Sequence, residues 1–151
     1  MRSVDYARMF HGWLGGHLPV AVEELPRRLG IGVKLADLGC CEGSLAVCRG
    51  KCLIVLNRRR TLACRRFTLA HEIGHWLYCP CSNFPYRPEP ILYLETELNQ
   101  FAGELLMPHD SVLSLWELYS ANVVNRPALV AERLLVSQAA LAIRLRELGI
   151  T

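Results

Sequence analysis

At 151 residues, 52% of them hydrophobic and 21% charged, the chain is long enough for one core of ordinary size and too apolar to be disordered. The net charge of +3 is modest, and its densest part, Arg58, Arg59 and Arg60 followed by Arg65 and Arg66, reads as a solvated rim, so charge alone argues against a nucleic-acid surface. No run of about eighteen apolar residues suggests a membrane span, and Arg8, His11, two glycines and His17 interrupt any secretory stretch, so a cytoplasmic protein is expected.

The first ten or so residues from Val4 to Trp13 suit a short helix that Gly15 and Gly16 end. A second helical stretch is expected from about Val20 to Leu29, with Val22, Leu25 and Leu29 on one face and Gly30 as its stop. The segment IGVKLADL then alternates apolar and polar residues like a half-buried strand, and GSLAVCRGKCLIVLN reads as two strands around the turn Arg49-Gly50-Lys51. The expectation is a small antiparallel sheet of about three strands.

Helical periodicity resumes near Arg65 and runs to Tyr78, where Cys79-Pro80 should close it because a residue before proline is pushed out of the helical region. Residues 80–90, PCSNFPYRPEP, must be a loop. Another helix follows from about Leu92 to Met107, stopped by Pro108. Three more are expected, near Ser111 to Ser120, Pro127 to Leu135 and Ser137 to Leu148, the last with Ser137 as N-cap. The fold class is α+β. Seven cysteines, at 40, 41, 48, 52, 64, 79 and 81, form no regular framework, so free thiols are the simplest reading, with Cys79 and Cys81 as a possible metal or redox pair.

The chemistry is concentrated in RFTLAHEIGH, residues 66–75. On a helix, His71 and His75 lie on one face a turn apart and can present imidazole nitrogens to a single ion. Glu72, rotated by about 100° from His71, is no third ligand on that face but can reach water held there. A catalytic zinc site needs one more protein ligand and an open position. The next helix offers Glu95, Glu97 and Glu104. At about 100° per residue, Leu94, Leu98, Phe101, Ala102, Leu105 and Leu106 form its apolar face, while Glu97, Gln100 and Glu104 lie opposite, where both glutamates should face solvent. Glu95 falls at the edge of the apolar face with Asn99 four residues on. Glu95 is therefore the expected third ligand, Asn99 the group that orients a histidine or the carboxylate from outside the ligand set, and Glu97 the alternative ligand.

RFTLAHEIGHWL followed by ETELNQFAGELLMP resembles the ImmA/IrrE family of zinc metallo-endopeptidases, which join a histidine-glutamate-histidine helix to a second helix carrying a glutamate and, four residues on, an asparagine or aspartate. The resemblance extends to the strand ending in Asn57 and to ERLLVSQAALAIRLRELGI. It implies His71, His75 and Glu95 as ligands of Zn2+, Glu72 as catalytic base, and a zincin-like domain over residues 1–110 with a helical extension over 111–151 whose last two helices look like a helix-turn-helix. Leu98 departs from the pattern, where a small residue is usual, as do the cysteines after Tyr78.

Peptide hydrolysis follows as the expected reaction, with acid releasing the metal by protonating the two histidines. An oxyanion-stabilising donor is required as well, and Tyr78, Tyr93 and His109 are the candidates. An exposed edge of the sheet over residues 45–57 is expected to pair with extended substrate. Family members cleave repressors in phage, mobile-element or stress-response circuits, so the implied partner is a repressor protein, with no nucleic acid and no membrane. Two other functions compete with this one: a DNA-binding regulator with a structural metal, using Arg133, Arg144 and Arg146, and an idle interaction protein.

Overall fold

The computed structural model describes residues 2–79, 82 and 94–150. Helix α1 (Ser3–Leu14) ends at Gly15, whose φ of 81° needs no side chain. A single 3-10 turn (Val22–Glu24) leads into the short α2 (Leu25–Leu29), closed by Gly30. Strands β1 (Ile31–Ala36), β2 (Gly43–Cys48) and β3 (Lys51–Asn57) follow. Helices α3 (Leu62–Leu77), α4 (Leu94–Leu106), α5 (His109–Leu118), α6 (Arg126–Leu134) and α7 (Gln138–Glu147) complete the described residues. The expected proline-rich loop over residues 80–90, and Tyr93 and Cys81 with it, lies outside them except for Ser82.

The fold is α+β as the sequence reading has it, but the sheet is not purely antiparallel. Its order is β1-β3-β2, with β3 antiparallel to β2 and parallel to β1. Arg49 and Gly50 take positive φ, 52° and 75°, as a two-residue hairpin loop requires. That hairpin folds β3 back into the gap between its neighbours. Alternation of side chains reports which face is buried and is blind to strand direction, so the parallel pairing left no mark in the sequence. Cys52, Ile54 and Leu56, the buried set of β3, point onto α3, and the opposite face carries Leu53 and Lys51 outward.

Between Ala36 and Gly43 the chain is held by Asn57, which is fully buried. Its Nδ2 donates to the carbonyls of Gly39 (3.0 Å) and Cys41 (2.8 Å), and its backbone N–H donates to Glu42 O (2.9 Å). Buried polar groups of this kind stabilise only when satisfied, and here all the donors find carbonyls. The result fixes Glu42 and Gly43 at the mouth of the sheet.

Helix α4 packs on α1 and on α3, with Phe10 and Phe101 meeting edge to face at 6.2 Å. Apolar residues of α5, α6 and α7, including Val112, Val130, Leu134, Leu141 and Leu145, belong to the same core cluster as those of α1, α3 and α4. Two buried arginines tie the segments together. Arg66 of α3 donates to Val20 O (2.7 Å) and Leu135 O (3.3 Å) and pairs with Glu23. Arg144 of α7 pairs with Glu104 of α4 and donates to Met107 O (3.0 Å). Glu104 was expected to face solvent; it is buried, because α7 and α1 cover the side of α4 that the helical wheel leaves polar, and Arg8 reaches its other oxygen at 3.3 Å. Among the described residues, no helix is long and apolar enough to cross a membrane.

Candidate metal centre

Helix α3 begins earlier than its apolar period suggests, because Thr61 Oγ1 accepts from Cys64 N at 3.2 Å and caps the first turn. No proline interrupts the sixteen residues that follow. His71 and His75 stand on one face with ring centroids 4.9 Å apart. One nitrogen or oxygen from each of His71, Glu72 and His75 lies within 4.8 Å of the others, a group that could hold a metal ion.

Helix α4 reaches this face because Gly74 has no side chain. A Cβ there would stand 2.9 Å from Leu98 Cδ2 and 3.1 Å from Phe101 Cδ1, so side chains of α4 rest directly on the α3 backbone at this point. Leu98 fills the room that Gly74 leaves and is fully buried. The close crossing carries Glu95, one turn earlier, over the histidines. Glu95 Oε2 is 3.1 Å from His71 Nε2, and Glu95 Oε1 is 3.1 Å from His75 Nε2. Asn99 Oδ1 is 2.9 Å from His71 Nδ1. Glu97 instead lines a separate depression with Arg2, Ser3 and Val4 at the start of α1.

These contacts test whether a cation fits. An amide oxygen can only accept, so the contact with Asn99 calls for a proton on His71 Nδ1 and leaves Nε2 as the nitrogen that faces the Glu95 carboxylate. Two lone pairs at 3.1 Å repel unless a proton or a metal ion lies between them. The same carboxylate meets His75 Nε2 through its second oxygen. Two imidazole nitrogens and a carboxylate converging in this way, with side-chain exposure of 15% for His71, 30% for His75 and 69% for Glu95, form a donor set that suits a divalent cation with one side open.

Glu72 is the buried member, only 8% exposed. Burial pushes its pKa above the ordinary carboxylate range; His75 and His71 pull against this and Glu95 adds to it. A carboxylate raised in this way is a better proton acceptor near neutrality than one in water. The cleft in front of it, about 260 Å³, is lined by Phe67, Thr68, His71 and Glu72 of α3, Glu95 and Asn99 of α4, and Glu42 and Gly43 at the start of β2. Gly43 is required there, since a Cβ would lie 2.6 Å from Thr68 Cγ2 and 3.0 Å from Val55 O.

The four positions singled out from the sequence, together with Asn99, are thus brought together. Sequence reasoning missed Glu42, Gly43 and Thr68, whose proximity depends on the Asn57-held loop. It also expected a free sheet edge over residues 45–57, whereas β3 is the central strand and, among the described residues, the edge beside the cleft is that of β2. Of the oxyanion candidates, Tyr78 is partly buried against the core, His109 opens α5 with Nδ1 4.0 Å from Asp110 Oδ1, and Tyr93 is outside the described residues. Among the described residues, Cys40, Cys41, Cys48 and Cys64 are free thiols.

A family model for the IrrE N-terminal-like domain, a metallopeptidase family, matches residues 27–146. The chain belongs to the IrrE N-terminal-like family. The match runs from α2 into α7, so α3 with its two histidines, α4 with Glu95, and the last two helices all fall within the matched region. A curated relative, the uncharacterized immunity region protein 2 of Bacillus phage phi105, is 40% identical over 68 residues. That alignment spans 42% of this chain and 42% of the phage protein.

Proposed function

We propose that the protein is a zinc-dependent endopeptidase that cleaves a transcriptional repressor of a phage, mobile-element or stress-response circuit. The carrying observation is the Glu95 carboxylate, which lies between the Nε2 atoms of His71 and His75 with Asn99 behind the first of them. His71, His75 and Glu95 would hold the zinc, and the imidazole-carboxylate donor set with an open side favours zinc over a hard cation. Bound there, the metal would supply Lewis acidity toward a peptide carbonyl and make water acidic enough to attack near neutral pH.

The chain's own residues account for the rest. Glu72, buried beside the histidines, takes the proton of the attacking water and delivers it to the departing amine. Asn99 holds His71 in the tautomer that leaves Nε2 free for the metal. The free edge of β2, which begins at the cleft with Gly43, pairs with the substrate backbone by strand addition and lays the scissile bond across the cleft. The repressor as substrate draws support from the immunity region name of the phage relative, and a cytoplasmic setting follows from such a substrate.

Glu72→Gln tests the reaction. The variant is expected to retain zinc while losing about 10²–10⁴-fold in the cleavage of candidate repressors, the usual contribution of a positioned base. Equal cleavage by both proteins, or none by either across the candidate repressors, would remove the peptidase assignment.

A further inference from the structure

A larger cleft, about 510 Å³, adjoins the metal centre and shares Glu42, Phe67 and Asn99 with it. Its walls are mainly apolar: Ala63 and Phe67 from α3, Met107 after α4, and Ala140 and Ile143 from α7. Ile143 is left 51% exposed there. Phe67 lies four residues before His71, about 6 Å along the helix axis, within reach of the side chain next to a peptide group held at the histidines. Resting on the peptidase reading, we propose that this cleft is the side-chain pocket that selects the substrate, that α7 forms its outer wall, and that it accepts an apolar segment of the cleaved protein next to the scissile bond.

Charge sharpens the choice of occupant. Arg144 is the cation among the described residues that line the cleft, and its guanidinium is held by Glu104 and lies 3.6 Å from Glu147. Glu42 and Glu147 add carboxylates to the lining. An acidic side chain would therefore meet negative charge with no free counterion in those walls, while an aliphatic or aromatic one would cover Ile143 and Phe67. The volume suits a short apolar segment of the substrate better than a single small side chain.

Leucine, phenylalanine and aspartate hydroxamates, titrated into the zinc-loaded full chain, read the pocket without requiring turnover. The wild type should prefer the two apolar probes over the acidic one by about ten- to a hundredfold, the value of burying one such side chain. Ile143→Asp and Ala140→Trp, both on the wall contributed by α7, should remove most of that preference while zinc content and thermal melting stay as in the wild type. Using two dissimilar variants guards against one of them failing to fold. Cleavage sites mapped by mass spectrometry on reduced casein should carry Leu, Ile, Phe or Met at one fixed position beside the cut. A wild type without apolar preference, or variants that keep it in full, would overturn the pocket. If the preference behaves as stated while neither casein nor any candidate repressor is cut, the pocket stands and the peptidase reading fails.

Discussion

Asn99 and Glu72 illustrate how single side chains act at this centre through position. On the proposed zinc site Asn99 would touch no ligand atom itself, and its oxygen, 2.9 Å from His71 Nδ1, would favour Nε2 as the nitrogen that faces Glu95. Replacing it by alanine is expected to weaken zinc binding by about 10- to 100-fold, as removal of such supporting groups does elsewhere; competition with a fluorescent chelator measures this, and unchanged affinity would deny Asn99 the orienting role. Glu72 makes a prediction about stability. Its folded-state pKa is raised, first by burial, so in metal-free protein the favourable contribution is fully present below the unfolded-state pKa and is lost as pH rises through the folded-state value. Above that, a buried charge is carried at a cost. In excess chelator, Glu72→Gln should therefore melt higher than the wild type at neutral pH, and the gap should shrink as pH falls into the carboxylate range. A gap independent of pH, or a wild type that melts higher at neutral pH, would contradict the raised pKa.

The elements that matter most are α3, α4 and β2. The two helices meet at Gly74 with Leu98 against it, and this contact sets the height at which Glu95 crosses the histidines. Among the described residues, strand β2 pairs on one side only. Because Asn57 N–H bonds Glu42 O, and antiparallel partners alternate between bonded and non-bonded pairs, the N–H groups of Gly43, Leu45 and Val47 point away from β3. Proline at Leu45 or Val47 should leave the ladder to β3 intact and remove one donor from the free edge. Cleavage is expected to fall by about three- to tenfold, the value of one backbone hydrogen bond, with zinc retained. Full activity in both proline variants would rule out substrate addition along β2.

Across the whole molecule, the C-terminal helices are joined to the helix that carries Glu95 by charge as well as by packing. Arg144 and Glu104 are both buried, and Glu104 sits on the same helix as Glu95. Arg144→Met leaves the Glu104 carboxylate buried without its main partner, with only the largely exposed Arg8 beside it, and should cost about 3–5 kcal/mol, or roughly 10 °C in Tm for a chain of this size. The double variant with Glu104→Leu should recover most of the loss, since two apolar groups replace the pair. Thermal melting of the three variants, with each single and the double, provides the comparison; a harmless single variant, or a double as unstable as Arg144→Met, would mean that the pair does not hold α7 to α4. The same pair removes Arg144 from any DNA-facing surface, and Arg133 is engaged with the Tyr119 hydroxyl at 3.1 Å.

What the sequence determined by itself is local. Periodicity located the helices to within a few residues, the Arg-Gly turn marked the hairpin, Ser137 was legible as a cap, and it does accept from Ala140 N. The spacing of His71, Glu72 and His75, and the angle of Glu95 and Asn99 on their own helix, are likewise properties of one element at a time, readable from 3.6 residues per turn. Tertiary structure decided everything that depends on which distant segments meet. The parallel pairing of β1 with β3, the burial of Glu104 under α7, the loop that Asn57 holds so that Gly43 lines the cleft, and the α7 wall beside it all join residues far apart in the chain. An apolar or charged pattern states that a residue needs a partner; only the packed chain determines which partner arrives, because many arrangements satisfy the same local pattern and long-range burial selects one of them.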